Sequence, residues 1–218
     1  MRPLWVLAVV GHLLAGCGSS KSVTASAPDG TANDASSPET TVAGTVGGIA
    51  VQAAEAIGLF GKDSVTGVPY AGTWIQSQTG TCAAAQRGAG MAPGATRVTI
   101  ELARTAGTDP IAAGSYPFTA DNGAAGNNGI ALFAQFTAYD TSCNPIVIED
   151  AKGGGVTLDT VNATEIAGSF DIGFGAGDGG IDHLTGTFHG PVCNFDMNLV
   201  GTSDAGDACP AGPIDQSD

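Results

Sequence analysis

Asp178 and Asp182 stand in GAGDGGIDHLTG (175–186), where residue type and spacing in this chain come nearest to a known chemistry. The stretch is an imperfect single copy of the Gly-Asp nonapeptide that binds calcium in stacked repeats. Calcium takes about six to eight oxygens. One copy offers two carboxylates and a few carbonyls, so a hairpin turn is the stronger reading, with Asp178 and Asp182 kept as calcium candidates. GAGDGG also matches G-x-G-x-x-G, but a dinucleotide site needs that motif between a strand and a helix, and here a second strand pattern follows. His183 and His189 lie on one face of that strand. Six residues at ~3.4 Å each separate them by ~20 Å, too far to ligate one metal. Trp74, in TWIQSQ, shares one face with Gln76 and Gln78. An exposed indole beside amides suits stacking on a sugar, and a buried one is ordinary core. No G-x-S-x-G, H-E-x-x-H or P-loop pattern occurs, so no catalytic centre and no cofactor are expected.

Five cysteines follow a different logic. Cys82, Cys143, Cys193 and Cys209 contain no C-x-x-C pair, which argues against a zinc ribbon or a thioredoxin-like centre. In an oxidising compartment they suggest two disulfides, with three connectivities open. Cys193 and Cys209 flank one terminal segment, so their pairing is the economical choice, leaving Cys82 with Cys143.

The elements that must position these residues read as strands. In Glu165 to Phe174, Ile166, Gly168, Phe170, Ile172 and Phe174 share a face, while Ala167, Ser169, Asp171 and Gly173 take the other. Asp182 to His189 repeats the alternation with Leu184, Gly186 and Phe188 inward, and the pair forms an antiparallel hairpin. Further strands are expected at Val42–Val51, Ala53–Phe60, Tyr70–Gln78, Ala95–Ala103, Ser115–Thr119, Ile130–Tyr139, Val156–Val161 and Phe195–Val200. One short Ala-rich helix is expected at Thr81–Gly88. The fold class is therefore all-β, a single antiparallel sandwich or barrel of about 8–10 strands with one short helix. The 34 glycines show no short repeat, which excludes collagen-like order.

The amino terminus carries Arg2 and then an apolar run, Leu4 to Leu14. That run is shorter than the ~20 residues a membrane-spanning helix needs and has the shape of a secretory signal peptide. Leu14-Ala15-Gly16-Cys17 resembles the lipobox of bacterial lipoproteins. The resemblance implies that residues 1–16 are removed and that Cys17 becomes the acylated first residue. At ~0.8 kcal/mol per buried methylene, two or three chains make a stable membrane anchor. Gly18, where that family often carries aspartate for inner-membrane retention, points to the outer membrane. Residues 17–40 hold one large apolar side chain, Val23, and are expected to form a tether with a reach of ~26 Å. The remainder, 41–218, has the size of one domain, which would bury roughly 70% of its unfolded surface.

The net charge is −14, with seven Lys and Arg in all. Nucleic-acid binders neutralise phosphates with clustered basic residues, so neither nucleic acid nor an anionic head-group surface is an expected partner. GTVGG (44–48), GGVTLDTVNATEIAGSFDIGF (154–174) and HLTGTFHGPVC (183–193) resemble the layout of uncharacterised small all-β lipoproteins of myxobacteria-like Gram-negative bacteria. That resemblance implies a β fold and assigns no activity. The functional expectation is a non-catalytic binding module, with an envelope protein or glycan as partner. The polar connection Asp121 to Gly129 is its expected contact loop, and Trp74 its aromatic anchor. A structural envelope coat and an extracellular hydrolase are the alternatives.

Overall fold

The computed structural model describes residues 39–63, 66–86, 90–118, 129–175, 179–194 and 209, all within the compact unit Ser36–Asp218. Ten strands and one helix follow in chain order. They are β1 (Thr41–Val46), β2 (Ile49–Ala50), β3 (Glu55–Lys62), β4 (Pro69–Gln76), α1 (Thr81–Gln86) and β5 (Thr96–Arg104). After these come β6 (Gly114–Pro117), β7 (Ile130–Tyr139), β8 (Pro145–Val161), β9 (Glu165–Gly175) and β10 (Ile181–Pro191). They form one antiparallel sheet in the order β2-β1-β10-β9-β8-β7-β5-β4-β3, with β6 added to β8, curled into a half-barrel. The all-β expectation is met.

The expected β9–β10 hairpin is present, in register from Gly175 opposite Ile181 to Glu165 opposite Pro191. Its inward residues, Ile166, Phe170, Ile172, Phe174, Leu184 and Phe188, are buried as the alternation requires. Two expectations need correction. The strand expected over 42–51 is broken by a turn at Gly47 and Gly48, both at positive φ, which folds β2 back on β1. The strand expected at Val156–Val161 begins at Pro145. The candidate strand 195–200 lies outside the described residues, as do residues 87–88 of the expected helix.

β8 is the corner of the molecule. Pro145 and Val147–Asp150 pair with β7, with a register shift at Ala138/Tyr139 opposite Ile146, and from Ala151 the strand pairs with β9, with further shifts at Ala151/Gly153 and Leu158/Thr160. A strand that changes partners turns a corner through such bulges. Gly154 sits there at φ +97°, and a Cβ on it would fall 2.0 Å from the Asp171 carbonyl oxygen. Only glycine allows that approach.

The strands β3-β4-β5-β7-β8-β9-β10 make a meander of odd number, so its first and last members run parallel. They come together where Gly190 lies against the Ala56 backbone and a parallel bridge joins Gly58 to Val192, beside which the Cys193 N–H donates to the Gly58 carbonyl at 2.8 Å. Between the two walls Ile75, Val98, Ile100, Phe136, Leu158, Ile166 and Phe174 fill one continuous core. Each large apolar side chain so buried contributes ~1.5–3 kcal/mol.

Candidate binding surface

The four cysteines of the domain are disulfide-bonded, but not as their spacing suggests. Cys82 bonds Cys193 and Cys143 bonds Cys209, with Cα–Cα distances of 5.5 and 4.9 Å. The expected Cys193–Cys209 and Cys82–Cys143 pairs are thereby overturned. The reason is the return of β10 to β3, which delivers Cys193 to the start of α1. Helix α1 is itself fixed there, because the Thr81 N–H donates to Glu55 Oε2 at 2.7 Å. Cys209 instead joins a separate buried cluster with Met91, Ala95 and Tyr139, next to Cys143. Cys143 adopts φ 63°, a left-handed conformation costly for a residue with a Cβ. Asp140 holds the turn: its carboxylate accepts from Ser142 N, Asn144 N and Asn144 Nδ2. The Asn144 side chain, followed by its backbone N–H, holds the Asp140 carboxyl below the usual aspartate range.

Between the two bridges lies the outer face of β4, β5, β7 and β8. Gln76, Arg97, Thr137 and Ile148 form one register row, and Trp74, Thr99, Gln135 and Asp150 form the next. Glu101 and Phe133 begin a third. Trp74 is 7% exposed and packs with Ile57, Leu59, Ala85 and Cys193. It is therefore a core tryptophan, and the exposed aromatic anchor is corrected.

Two charged neighbours complete its surroundings. The Arg97 guanidinium lies 4.4 Å from the indole centroid, and Trp74 Nε1 donates to Glu101 Oε1 at 3.4 Å. A cation so placed gains ~0.5–2 kcal/mol from the ring's electron density. Burial lowers the Arg97 pKa to about 10, so it stays charged at neutral pH. Burial raises the Glu101 carboxyl, opposed by the Trp74 hydrogen bond and by Arg97. Arg97 Nε is buried without a hydrogen-bond partner. Its neighbours are already paired: Gln135 Nε2 donates to Asp150 Oδ1 at 2.9 Å, and Thr137 Oγ1 to Gln135 Oε1 at 3.3 Å. Phe133, 37% exposed, is the aromatic this surface presents. The result is a platform on which Gln135, Asp150 and Phe133 reach the surface above the buried Arg97–Trp74 pair, suited to a polar ligand with some apolar surface.

Sequence reasoning did not single out Arg97, Glu101, Phe133 or Gln135. The alternation of Val98, Ile100 and Leu102 with Arg97, Thr99 and Glu101 carries the signal, as does that of Leu132, Ala134 and Phe136 with Phe133 and Gln135.

The other candidates scatter. Asp182 is committed to the fold, its Oδ2 accepting the Gly47 N–H at 2.8 Å across to the β1–β2 turn. Asp178 lies outside the described residues, as do Cys17 and residues 121–128 of the expected contact loop. Among the described residues no group of three or more His, Cys, Asp or Glu is arranged to hold a metal. His183 is exposed and faces Asp171 at 3.4 Å. The His189 backbone is held by Thr40, whose Oγ1 donates to its carbonyl and accepts its N–H. No helix among the described residues is long and apolar enough to cross a membrane. No family model matches the chain, and no curated protein or solved structure matches it.

Proposed function

We propose that the chain is an outer-membrane lipoprotein, anchored through Cys17, whose β domain binds a glycan or an envelope protein without catalysing a reaction. The observation that carries the binding role is the platform around Arg97. Its guanidinium is held on Trp74, and on the same face hydrogen-bonded Gln135 and Asp150, with exposed Phe133, reach the surface. Such pre-organised groups lose little freedom on meeting a ligand, which favours affinity. The anchoring role rests on the Leu14–Cys17 motif and its flanks.

The test uses the mature, detergent-solubilised chain in pull-downs from envelope extract and in binding to peptidoglycan and lipopolysaccharide fragments. Arg97→Ala should weaken capture by roughly tenfold, the equivalent of ~1.4 kcal/mol. Turnover of ester, glycoside or peptide substrates, abolished by one Asp, Glu, Ser or His substitution, would overturn the non-catalytic reading. Cys17→Ser should move the protein from the detergent phase to the aqueous phase. A second reading, a structural envelope coat, draws on the filled core: the space a hollow barrel would offer a ligand is taken by Phe136, Phe174 and Ile166.

A further inference from the structure

Among the described residues, Cys143 is the one residue other than glycine at positive φ, at 63°. It stands in the turn between β7 and β8. There the Cys143 N–H donates to the Asp140 carbonyl at 3.1 Å, and the Asp140 N–H to the Asn144 carbonyl at 2.9 Å. That pattern is a type I turn followed by a left-handed bulge position, a slot that glycine ordinarily fills. A cysteine there is conformationally costly, and what it adds over glycine is its sulfur.

The two disulfides differ in what keeps their sulfurs together once the bond is cut. Cys82 lies in α1, which the Thr81 N–H ties to Glu55 of β3, and Gln86 Nε2 donates to the Asn194 carbonyl beside Cys193 at 3.3 Å. Cys193 is tied to the same strand through its N–H on the Gly58 carbonyl, and it is buried with Leu59 and Trp74. That pair of thiols stays adjacent when reduced, at high effective concentration, and its bond re-forms readily. Cys209 stands beyond β10, the last strand. Among the described residues its backbone is held by one hydrogen bond, from its N–H to the Met91 carbonyl. Its bridge spans 66 residues against 111 for the other, so chain entropy also gives it the smaller stabilisation. Cys143 is half-buried between exposed Ser142 and Asn144, while Cys209 is fully buried against Met91, Ala95 and Tyr139. An attacking thiolate therefore meets Cys143 first. Cys82 is half-buried too, so access alone does not separate the bridges; the hold on each pair does.

We propose that Cys143–Cys209 is a redox-controlled latch, opened by a dithiol reductant while Cys82–Cys193 stays closed. The reductant's thiolate attacks the Cys143 sulfur, the S–S bond breaks, and Cys209 leaves as a thiolate that takes up a proton. The reductant's second thiol then loses its proton and displaces Cys143 from the mixed disulfide. Two electrons and two protons pass to the domain, which gains two thiols, and the reductant becomes a disulfide. Neither cysteine belongs to a strand, so the sheet survives the exchange. What changes is the cover on Met91, Ala95 and Tyr139, which Cys209 joins in the closed form. The latch is independent of the ligand taken by the polar platform.

The experiment incubates the oxidised mature chain, in detergent, with graded ratios of reduced to oxidised dithiothreitol. Free thiols are then alkylated and each cysteine is read by mass spectrometry. Cys143 and Cys209 should open at a ratio roughly tenfold lower than Cys82 and Cys193, a difference of about 30 mV for two electrons. Circular dichroism at the intermediate ratio should keep the β signal. In a second arm, a thioredoxin-like reductant with its resolving cysteine replaced by serine should be trapped on Cys143. Opening of both bridges at one ratio, or of Cys82–Cys193 first, overturns the proposal. So does loss of the β signal when Cys143–Cys209 alone is open, or trapping on any other cysteine.

Discussion

The two walls of the half-barrel meet along β8 and are held by different means. In the wall of β1, β10, β9, the second part of β8, and β6, one face is core and the other is open. Thr41, Thr187, Ser169, Thr157 and Ser115 fall in one register row across those five strands. The hydroxyls at its ends pair, Thr41 with Thr187 at 2.9 Å and Ser115 with Thr157 at 3.0 Å. In the wall of β3, β4, β5, β7 and the start of β8, the outer face also buries Trp74, Gln76, Thr137 and Tyr139, and both disulfides attach there. A one-sided sheet is stabilised by its core alone. A two-sided one must also hold whatever covers its second face, and here covalent bonds do that. The same difference places the fixed polar groups around Arg97, which we propose bind a ligand, on the stapled wall.

The largest test of this contrast removes the staples. On the chain-entropy model, a bridge spanning 111 residues is worth about 5 kcal/mol and one spanning 66 about 4 kcal/mol. Cys82→Ala/Cys193→Ala should therefore destabilise more than Cys143→Ala/Cys209→Ala in chemical denaturation. Equal stability to wild type in either would mean that the second wall needs no staple.

Next in size is a pair of phenylalanines. Phe174→Ala empties a buried site between the walls and should cost ~3–5 kcal/mol. Phe133→Ala, on the exposed side of the stapled wall, should change stability by less than ~0.5 kcal/mol yet reduce ligand capture. A large loss of stability at Phe133 would turn the platform into core.

The smallest effect is the most specific. Burial raises the Glu101 pKa, so the folded state holds this proton more readily than the unfolded chain does. The resulting stabilisation is complete below the unfolded value of ~4.3 and is lost as pH rises through the higher folded value. Glu101→Gln, a mimic of the protonated form, should match wild type at acid pH and be the more stable at neutral pH. A pH-independent difference between the two would place Glu101 in solvent.

The two walls were also unequally legible in the sequence. Glu165–Phe174 and Asp182–His189 alternate cleanly because one face is apolar and the other polar, and their hairpin followed directly. Tyr70–Gln78 did not reveal which way Trp74 points, because β4 is buried on both faces and alternation carries no contrast there. The first part of β8 lay outside the expected strand for another reason: Pro145 and Gly153–Gly155 interrupt the alternation, and they fall at the start of β8 and at its corner. The split of β1 from β2 at Gly47–Gly48 was hidden inside an apolar run. Cysteine spacing pointed to the wrong pairs, since adjacency in sequence says nothing of where a curled sheet returns. The Gly58–Val192 bridge that sets the pairing has no local signature.

Disulfide connectivity therefore tests the account most directly, because it reports which wall is stapled and that β10 returns to β3. Non-reducing digestion of the native protein, followed by mass spectrometry, should yield one linked peptide pair containing Cys82 with Cys193 and another containing Cys143 with Cys209. Recovery of Cys193 linked to Cys209, or of four free thiols, would contradict it.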